Sequence, residues 1–352
     1  MNQSIYDLVT AANVVAYWLE LNINNQPMLG ETLFPSERVV GIKLDWIKGA
    51  NRQPVALRLA AYDTKAIRRD RRGIEEYATK MPFFKESKYI DEDLRQKLNT
   101  LMGNNNNKEL INQIIREIFN DEIELITAAS ISLERMRMQA LTTGTIVLSE
   151  NGQSYEYDFG IPNDQKLTAK VSWSDPTADI ISEVNDIKDA MKAKGVTITK
   201  AICNTSVVKY LRKNNDIKNS IYVLAGGSIS SINEARALAY LQDETDIVFY
   251  AYDNIYVDES GTEHKYIPDD TVIFIPDGAL GRTAMGTTPE ESDLMASGIA
   301  DVRIVNNGMA VTGYKTVDPV NVEMKVSMVA LPSFERANEV VVLDTDATTS
   351  AG

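Results

Sequence analysis

Five basic side chains crowd into one short stretch: Lys65, Arg68, Arg69, Arg71 and Arg72, closed by Gly73. Guanidinium groups at this density either bind phosphate or pair with carboxylates through bidentate hydrogen bonds. The 352-residue chain carries a formal net charge of −14. The preferred partner for the ribbon is therefore a carboxylate on another acidic copy of the chain. A solvated face and a nucleic-acid contact are the other readings. General DNA binding is disfavoured, because affinity for phosphate needs a net basic face. The dispersed acidity itself serves solubility, and it would keep a surface from sticking to nucleic acid packed against it.

Other catalytic chemistry is thinly supplied. The one histidine, His264, follows Gly261-Thr262 in an expected hairpin turn. One His and one Cys make neither a zinc cluster nor a Cys-His pair with an evident third member. No G-x-S-x-G elbow presents a serine. Cys203 ends an apolar, strand-like run from Val196, so a buried inert thiol is expected. Gly226-Gly227-Ser228 lacks the spacing and the lysine of a phosphate loop and is expected as a turn with an N-cap. Gly278, Gly281 and Gly286 fit no nucleotide fingerprint. Asp269-Asp270 and Glu290-Glu291 are expected as solvated turn residues. No cofactor or metal is expected.

The elements that must carry these residues are a mixture of helix and strand. A 44% hydrophobic content is enough for real cores. The single cysteine excludes an intrachain disulfide. The N-terminal apolar stretch, Val14 to Leu21, contains Glu20 and is too short for a signal peptide or a membrane span. Ile5 to Ala16 forms a short helical patch that needs something else to dock on. Residues 38–47 alternate apolar and polar, and a returning strand over 55–59 leads into the basic ribbon. Met81-Pro-Phe-Phe84 is extended. So long an excursion without a core finds its partners outside the subunit.

After Asn104 to Asn107, apolar residues recur at three- and four-residue intervals from Ile111 to Ala140. This spacing predicts one amphipathic helix over Lys108–Leu141, on the order of 50 Å long. Strands 145–149 and 155–159 should turn at Asn151-Gly152. A second lobe begins near Trp173, with helices over 179–194, 206–213 and 232–241. Strands are expected over 196–202, 247–252, 254–257 and 271–275. A strand over 317–331 and a last one over 340–343 close the chain.

Several segments together carry a family resemblance. The most specific is Trp173-Ser174-Asp175-Pro176-Thr177-Ala178-Asp179-Ile180. It is joined by Phe34-Pro35-Ser36-Glu37-Arg38-Val39, the ribbon Ile67 to Gly73, Tyr266-Ile267-Pro268-Asp269-Asp270-Thr271 and Leu331-Pro332. In this order they resemble the major capsid proteins of tailed bacteriophages, in the lambda head protein (major capsid protein E) branch. In that family a stretch like Trp173, Asp175, Pro176 and Asp179 opens the axial lobe. The resemblance implies an α+β chain with the Hong Kong 97-type capsid fold. Its parts would be an N-arm (1–37), an E-loop region (38–90), a spine helix with the first part of the peripheral domain (91–172), an axial domain (173–304), and a return to the peripheral domain with a C-terminal strand (305–352).

The resemblance further implies no enzyme but a virion protein. Copies would assemble as hexamers and pentamers into an icosahedral procapsid, and the head would enclose double-stranded DNA without binding it specifically. The partners implied are the chain itself, a separate scaffolding protein and a portal, with no membrane; the resemblance leaves open whether a decoration protein joins them. Assembly would take place in the host cytoplasm. Lys65, Arg68, Arg69, Arg71 and Arg72 would be E-loop contacts. Two rivals stand beside it: an acidic α/β enzyme with an interlobe cleft, and another phage structural protein such as a tail or head-completion subunit.

Overall fold

The computed structural model describes residues 9–22, 27–48, 75–90, 92–103, 108–225, 232–258, 260–317 and 320–347. The ribbon at 65–72 and Gly226-Gly227-Ser228 lie outside these residues. The chain begins with helices α1 (Ala11–Asn22) and α2 (Leu29–Leu33). Strands β1 (Ser36–Arg38), β2 (Lys43–Lys48), β3 (Glu75–Lys80) and β4 (Phe83–Tyr89) follow. Next come helices α3 (Glu92–Gly103) and α4 (Lys108–Thr143), then the hairpin β5 (Thr145–Glu150) and β6 (Gln153–Asp158). Strand β7 (Lys166–Thr168), helix α5 (Ile180–Ala193) and strand β8 (Ile198–Cys203) lead into helices α6 (Thr205–Lys213), α7 (Asn215–Ala225) and α8 (Glu234–Thr245). Strands β9 (Val248–Ala251), β10 (Ile255–Val257), β11 (Glu263–Lys265), β12 (Thr271–Pro276) and β13 (Arg282–Met285) come next. The chain finishes with β14 (Asp301–Val305), β15 (Met309–Val317), β16 (Val320–Ser333) and β17 (Val341–Asp344).

Helix α4 runs 36 residues without an internal glycine or proline, on the order of 54 Å at 1.5 Å per residue. Gly144 ends it at φ +81°, where a Cβ would meet the Ile161 side chain at 2.8 Å. Asn151 and Gly152 take positive φ (50° and 72°), as the expected tight hairpin requires. Helix α3 was not expected, although Leu94, Leu98 and Leu101 carry helical spacing. Two strand expectations change. The run 38–47 is broken, because Gly41 turns the chain at φ +89° between β1 and β2. The strand expected over 317–331 is one arm of a long hairpin, β15 with β16, paired from Ala310↔Ser327 to Val317↔Val320.

The described residues fall into two compact units. The first holds 9–45, 78–137 and 281–333. Its sheet runs β1-β13-β16-β15-β14, with β4 also on β16. Pro332 lies within β16 past its last β4 pair, Val329↔Phe83, so its missing N–H costs no bond to β4. Inside this unit a buried ion pair holds the N-terminal segment to α4. Glu134 Oε1 accepts from Gly30 N at 2.9 Å, and Glu134 Oε2 lies 3.8 Å from Arg137 Nη1. Arg137 Nε donates to Thr283 Oγ1 at 2.9 Å and Nη2 to Ser36 Oγ at 3.0 Å. Thr283 Oγ1 in turn donates to Phe34 O at 2.8 Å. Burial lowers the Arg137 pKa, while Glu134 and Glu31 push it back up.

The second unit holds 46–48, 75–77, 138–280 and 334–347. Its sheet runs β7-β17-β12-β8-β9. β8 and β9 are parallel and joined through α6, α7 and α8, as a parallel pair requires. Helices α5 to α8 and one sheet face share a core that includes Val184, Val207, Leu241, Phe249 and Phe274. Phe249 and Phe274 meet edge to face at 6.1 Å. The stretch from Trp173 to Glu183 closes this core. Trp173 is buried, and its Nε1 donates to Glu183 Oε2 at 2.8 Å. Glu183 Oε1 accepts from Lys170 N at 2.8 Å. Asp179 caps α5 by accepting from Ser182 N at 3.1 Å, and Gly195 follows the helix at φ +85°.

Three substitutions probe these buried carboxylates. Arg137→Met removes the counter-ion of Glu134 and should cost about 3–5 kcal/mol in denaturant unfolding. Gly30→Ala should also destabilise, because its Cβ would sit 2.5 Å from Glu134 Oε2 and 2.9 Å from Arg137 Cβ. Trp173→Phe keeps the ring burial and removes the donor to Glu183. It should cost about 1–3 kcal/mol, read as a lowered urea midpoint. An unchanged midpoint would show the indole bond to be incidental.

Candidate assembly surface

In the second unit, strand β9 is an edge of the five-stranded sheet. Its Tyr250 and Ala251 side chains are exposed. Beside it in sequence stands the β10–β11 hairpin, a separate two-stranded ribbon with register Ile255↔Lys265 to Val257↔Glu263. Ile255 and Val257 are two residues apart and share one face, 49% and 56% exposed. The opposite face is aromatic. Tyr256 stacks on His264 at 5.2 Å and lies 5.2 Å from Tyr266, which is itself 6.1 Å from Tyr252. The hairpin's turn is organised by Asp258. Its Oδ1 accepts from Ser260 Oγ at 2.6 Å and from Ser260 N and Thr262 N at 2.9 Å, and its Oδ2 sits 2.7 Å from His264 Nε2. Hydrogen bonds from Ser260, then His264, hold this carboxyl well below the usual range. The result is a rigid ribbon whose outer apolar face has no cover among the described residues of its own unit.

The first unit has its own exposed apolar positions. Leu19 and Leu21 lie on α1, Phe83 starts β4, and Val40 and Ile299 are 93% and 78% exposed. Val40 is displayed by a tight turn, since Gly41 N donates to Thr287 Oγ1 and Thr287 N to Gly41 O. Scattered singly, such residues are ordinary on a protein surface, and only a contiguous apolar patch marks an association site.

The residues singled out in the sequence divide between architecture and this surface. Trp173 and Asp179 serve the core and cap described above. Asp175 Oδ1 accepts from Thr177 N and Oγ1, both at 2.8 Å, and Pro176 O accepts from Asn215 N at 2.8 Å. His264 is on strand β11 rather than in the turn, with its imidazole on Asp258. Cys203 is buried, and burial pushes its thiol up to about 12. Glu290 is not a solvated turn residue. It is buried, 2.7 Å from Lys325 Nζ and 2.8 Å from Ser327 Oγ. Asp269 accepts from Asn204 Nδ2 and Lys265 Nζ at 2.7 Å each. Gly281 and Gly286 are places of close approach, where a Cβ would meet Ser333 O at 1.9 Å and Gly41 O at 2.5 Å. The hairpin surface was missed in the sequence. Its signal was the apolar pair Ile255 and Val257 between acidic turns, too short to stand out.

Among the described residues no cluster of His, Cys, Asp and Glu could hold a metal ion. No described helix is long and apolar enough to cross a membrane. A search of curated protein sequences finds no match. Two solved structures share the fold. One is a putative capsid protein of a prophage from E. coli CFT073, 16% identical, covering 96% of this chain and 99% of that one, with a TM-score of 0.61. The other is a phage-related protein from Bordetella bronchiseptica RB50, 10% identical, covering 94% and 96%, with a TM-score of 0.52. The mixed helix-and-sheet architecture is thus similar to Hong Kong 97-type phage capsid proteins. The model of the family described as phage major capsid protein E matches residues 10–345. The chain therefore belongs to the phage major capsid protein E family, a family of structural virion proteins and not of enzymes.

Proposed function

We propose that copies of this chain associate as hexamers and pentamers and close an icosahedral head around double-stranded DNA. The observation that carries this reading is the family match over residues 10–345, which spans nearly every element described above. The exposed β9 edge and the Ile255–Val257 face support it, since neither is needed by the core of its own unit. On this reading residues 1–37 act as the N-arm, 38–90 as the E-loop region, α4 as the spine and 173–304 as the axial domain. The ribbon Lys65, Arg68, Arg69, Arg71 and Arg72 then pairs with carboxylates of a neighbouring copy. Assembly takes place in the host cytoplasm with a separate scaffolding protein and a portal, and the net negative charge keeps the shell from adhering to the packaged DNA.

Two variants test the reading. Ile255→Asp with Val257→Asp places charge on exposed apolar positions and leaves the buried core untouched. Particle yield in negative-stain microscopy should drop about tenfold or more while the thermal midpoint of the unassembled chain holds. Reversing charge at Arg68, Arg69, Arg71 and Arg72 should likewise lower yield without unfolding the subunit. Normal shells from the first variant would remove the hairpin from assembly, and normal shells from the second would remove the ribbon.

A further inference from the structure

The described buried glutamates are handled in two ways. Glu134 meets Arg137, Glu290 meets Lys325 and Ser327, Glu339 meets Arg336, and Glu183 meets the Trp173 indole. Glu323 accepts from Tyr314, Ser87 and Tyr89. Glu122 differs. It sits on α4 one turn after Ile118 and just before Leu125 and Ile126, all buried. It is 3% exposed, and its Oε2 has no hydrogen-bond partner. A cation is near, but it is engaged elsewhere: Lys88 Nζ of β4 bonds Glu124 Oε2 at 2.6 Å.

We infer that Glu122 is a proton-linked lock in the first unit: carried by α4 and buried as the neutral acid, it loosens the packing around α4, including that of strand β4, when it ionises. Strand β4 is tied to α4 by the Lys88–Glu124 bond, and helix α1 by Tyr17 at Phe119 and Asn120. From β4, Lys88 acts on it across the interface, and Glu86 on the same strand face is exposed. Glu323 and Lys325 on β16 are in register with Tyr89 and Ser87 and so lie on the opposite sheet face from Lys88. From α1, Tyr17 packs 5.6 Å from Phe119 and donates to Asn120 Oδ1, while Glu20 is exposed. On α4 itself the nearest charge is Asp121. Burial pushes the Glu122 carboxyl up from 4.5 to about 8, with Lys88 lowering it and Asp121 raising it.

The sign follows from linkage. A carboxyl whose folded pKa is raised binds its proton more tightly in the folded chain. Its contribution is complete below the unfolded value of 4.5 and is lost as pH rises towards about 8. Between those limits, an opening that exposes Glu122 becomes about tenfold more favourable per pH unit.

The test uses the full chain in unassembled form and does not depend on shell formation. Hydrogen exchange of residues 83–90, corrected for intrinsic rates, is compared at pH 5.5 and 7.5 in the parent and in Glu122→Gln. The parent should lose protection, by up to about 100-fold, while the Gln variant keeps it and is the more stable at pH 7.5. A parallel loss of protection in both proteins overturns the inference. An independent readout covers a variant that folds poorly: the parent at pH 6.5 should show the infrared carbonyl band of a buried protonated carboxyl, and its absence equally overturns the assignment.

Discussion

The first unit depends on a charge pair taken out of water. Glu134 and Arg137 are one helical turn apart on α4 and almost fully buried. Desolvating them is costly, and their mutual attraction alone does not recover that cost. The recovery comes from third parties: the Gly30 amide, the Ser36 hydroxyl and Thr283. Those groups belong to α2, β1 and β13, so the pair is satisfied only when all three elements have arrived. This makes it a device for specificity more than for raw stability. Helix α2 has only five residues and β1 only three, so without these bonds they could lie on the sheet in many ways. Gly30 completes the arrangement, because any side chain there would occupy the carboxylate's place.

The second unit solves a similar problem with a neutral donor. Trp173 offers one N–H and a large apolar body, and Glu183 spans from that N–H to the Lys170 amide. The chain entering α5 is thereby fixed at both ends of a short turn, with Asp175 and Asp179 organising the backbone between. This explains why so many distinctive residue types gather there without doing chemistry. They define a corner. Asn214 acts alike at the next corner, capping α7 through its Oδ1 while its Nδ2 reaches Ala178 O.

Much of this was legible in the sequence, and what was not has physical reasons. The stripe from Ile111 to Ala140 announced α4 because one face must be apolar over ten turns. Asn151-Gly152 and Gly195 announced their turns because only such residues accept positive φ readily. Helix α3 was overlooked since its four charged residues, Glu92, Asp93, Arg95 and Lys97, dilute an apolar stripe of only Leu94, Leu98, Leu101 and Met102. The β15 strand was overlooked because Gly313 and Lys315 interrupt its alternation. Gly313 is explained by close approach, as a Cβ there would come 2.9 Å from the Met324 sulfur. Glu290 looked like a solvated turn acid because burial and a lysine 35 positions later cannot be seen in a local window. The assembly surface was the least legible part. A three-residue strand with two exposed apolar side chains has no periodicity to detect, and its meaning arises only once its neighbours are known to be covered.

An exposed strand edge beside an apolar ribbon is also a hazard, since any extended chain could pair with it. The protein limits that hazard by geometry. β9 has four residues and β10 and β11 three each, too short for a stable non-specific ladder. Across from Ile255 and Val257 stand Lys265 and Glu263, so a partner must tolerate both charges while covering the apolar pair. The Asp258 network fixes the ribbon's tip before any partner arrives, which lowers the ordering cost of association. On the proposed reading, weak, pre-shaped and charge-selective contacts of this kind suit a closed shell of repeated subunits. Each must be poor enough alone to let a misplaced copy leave, and only the symmetric sum needs to hold.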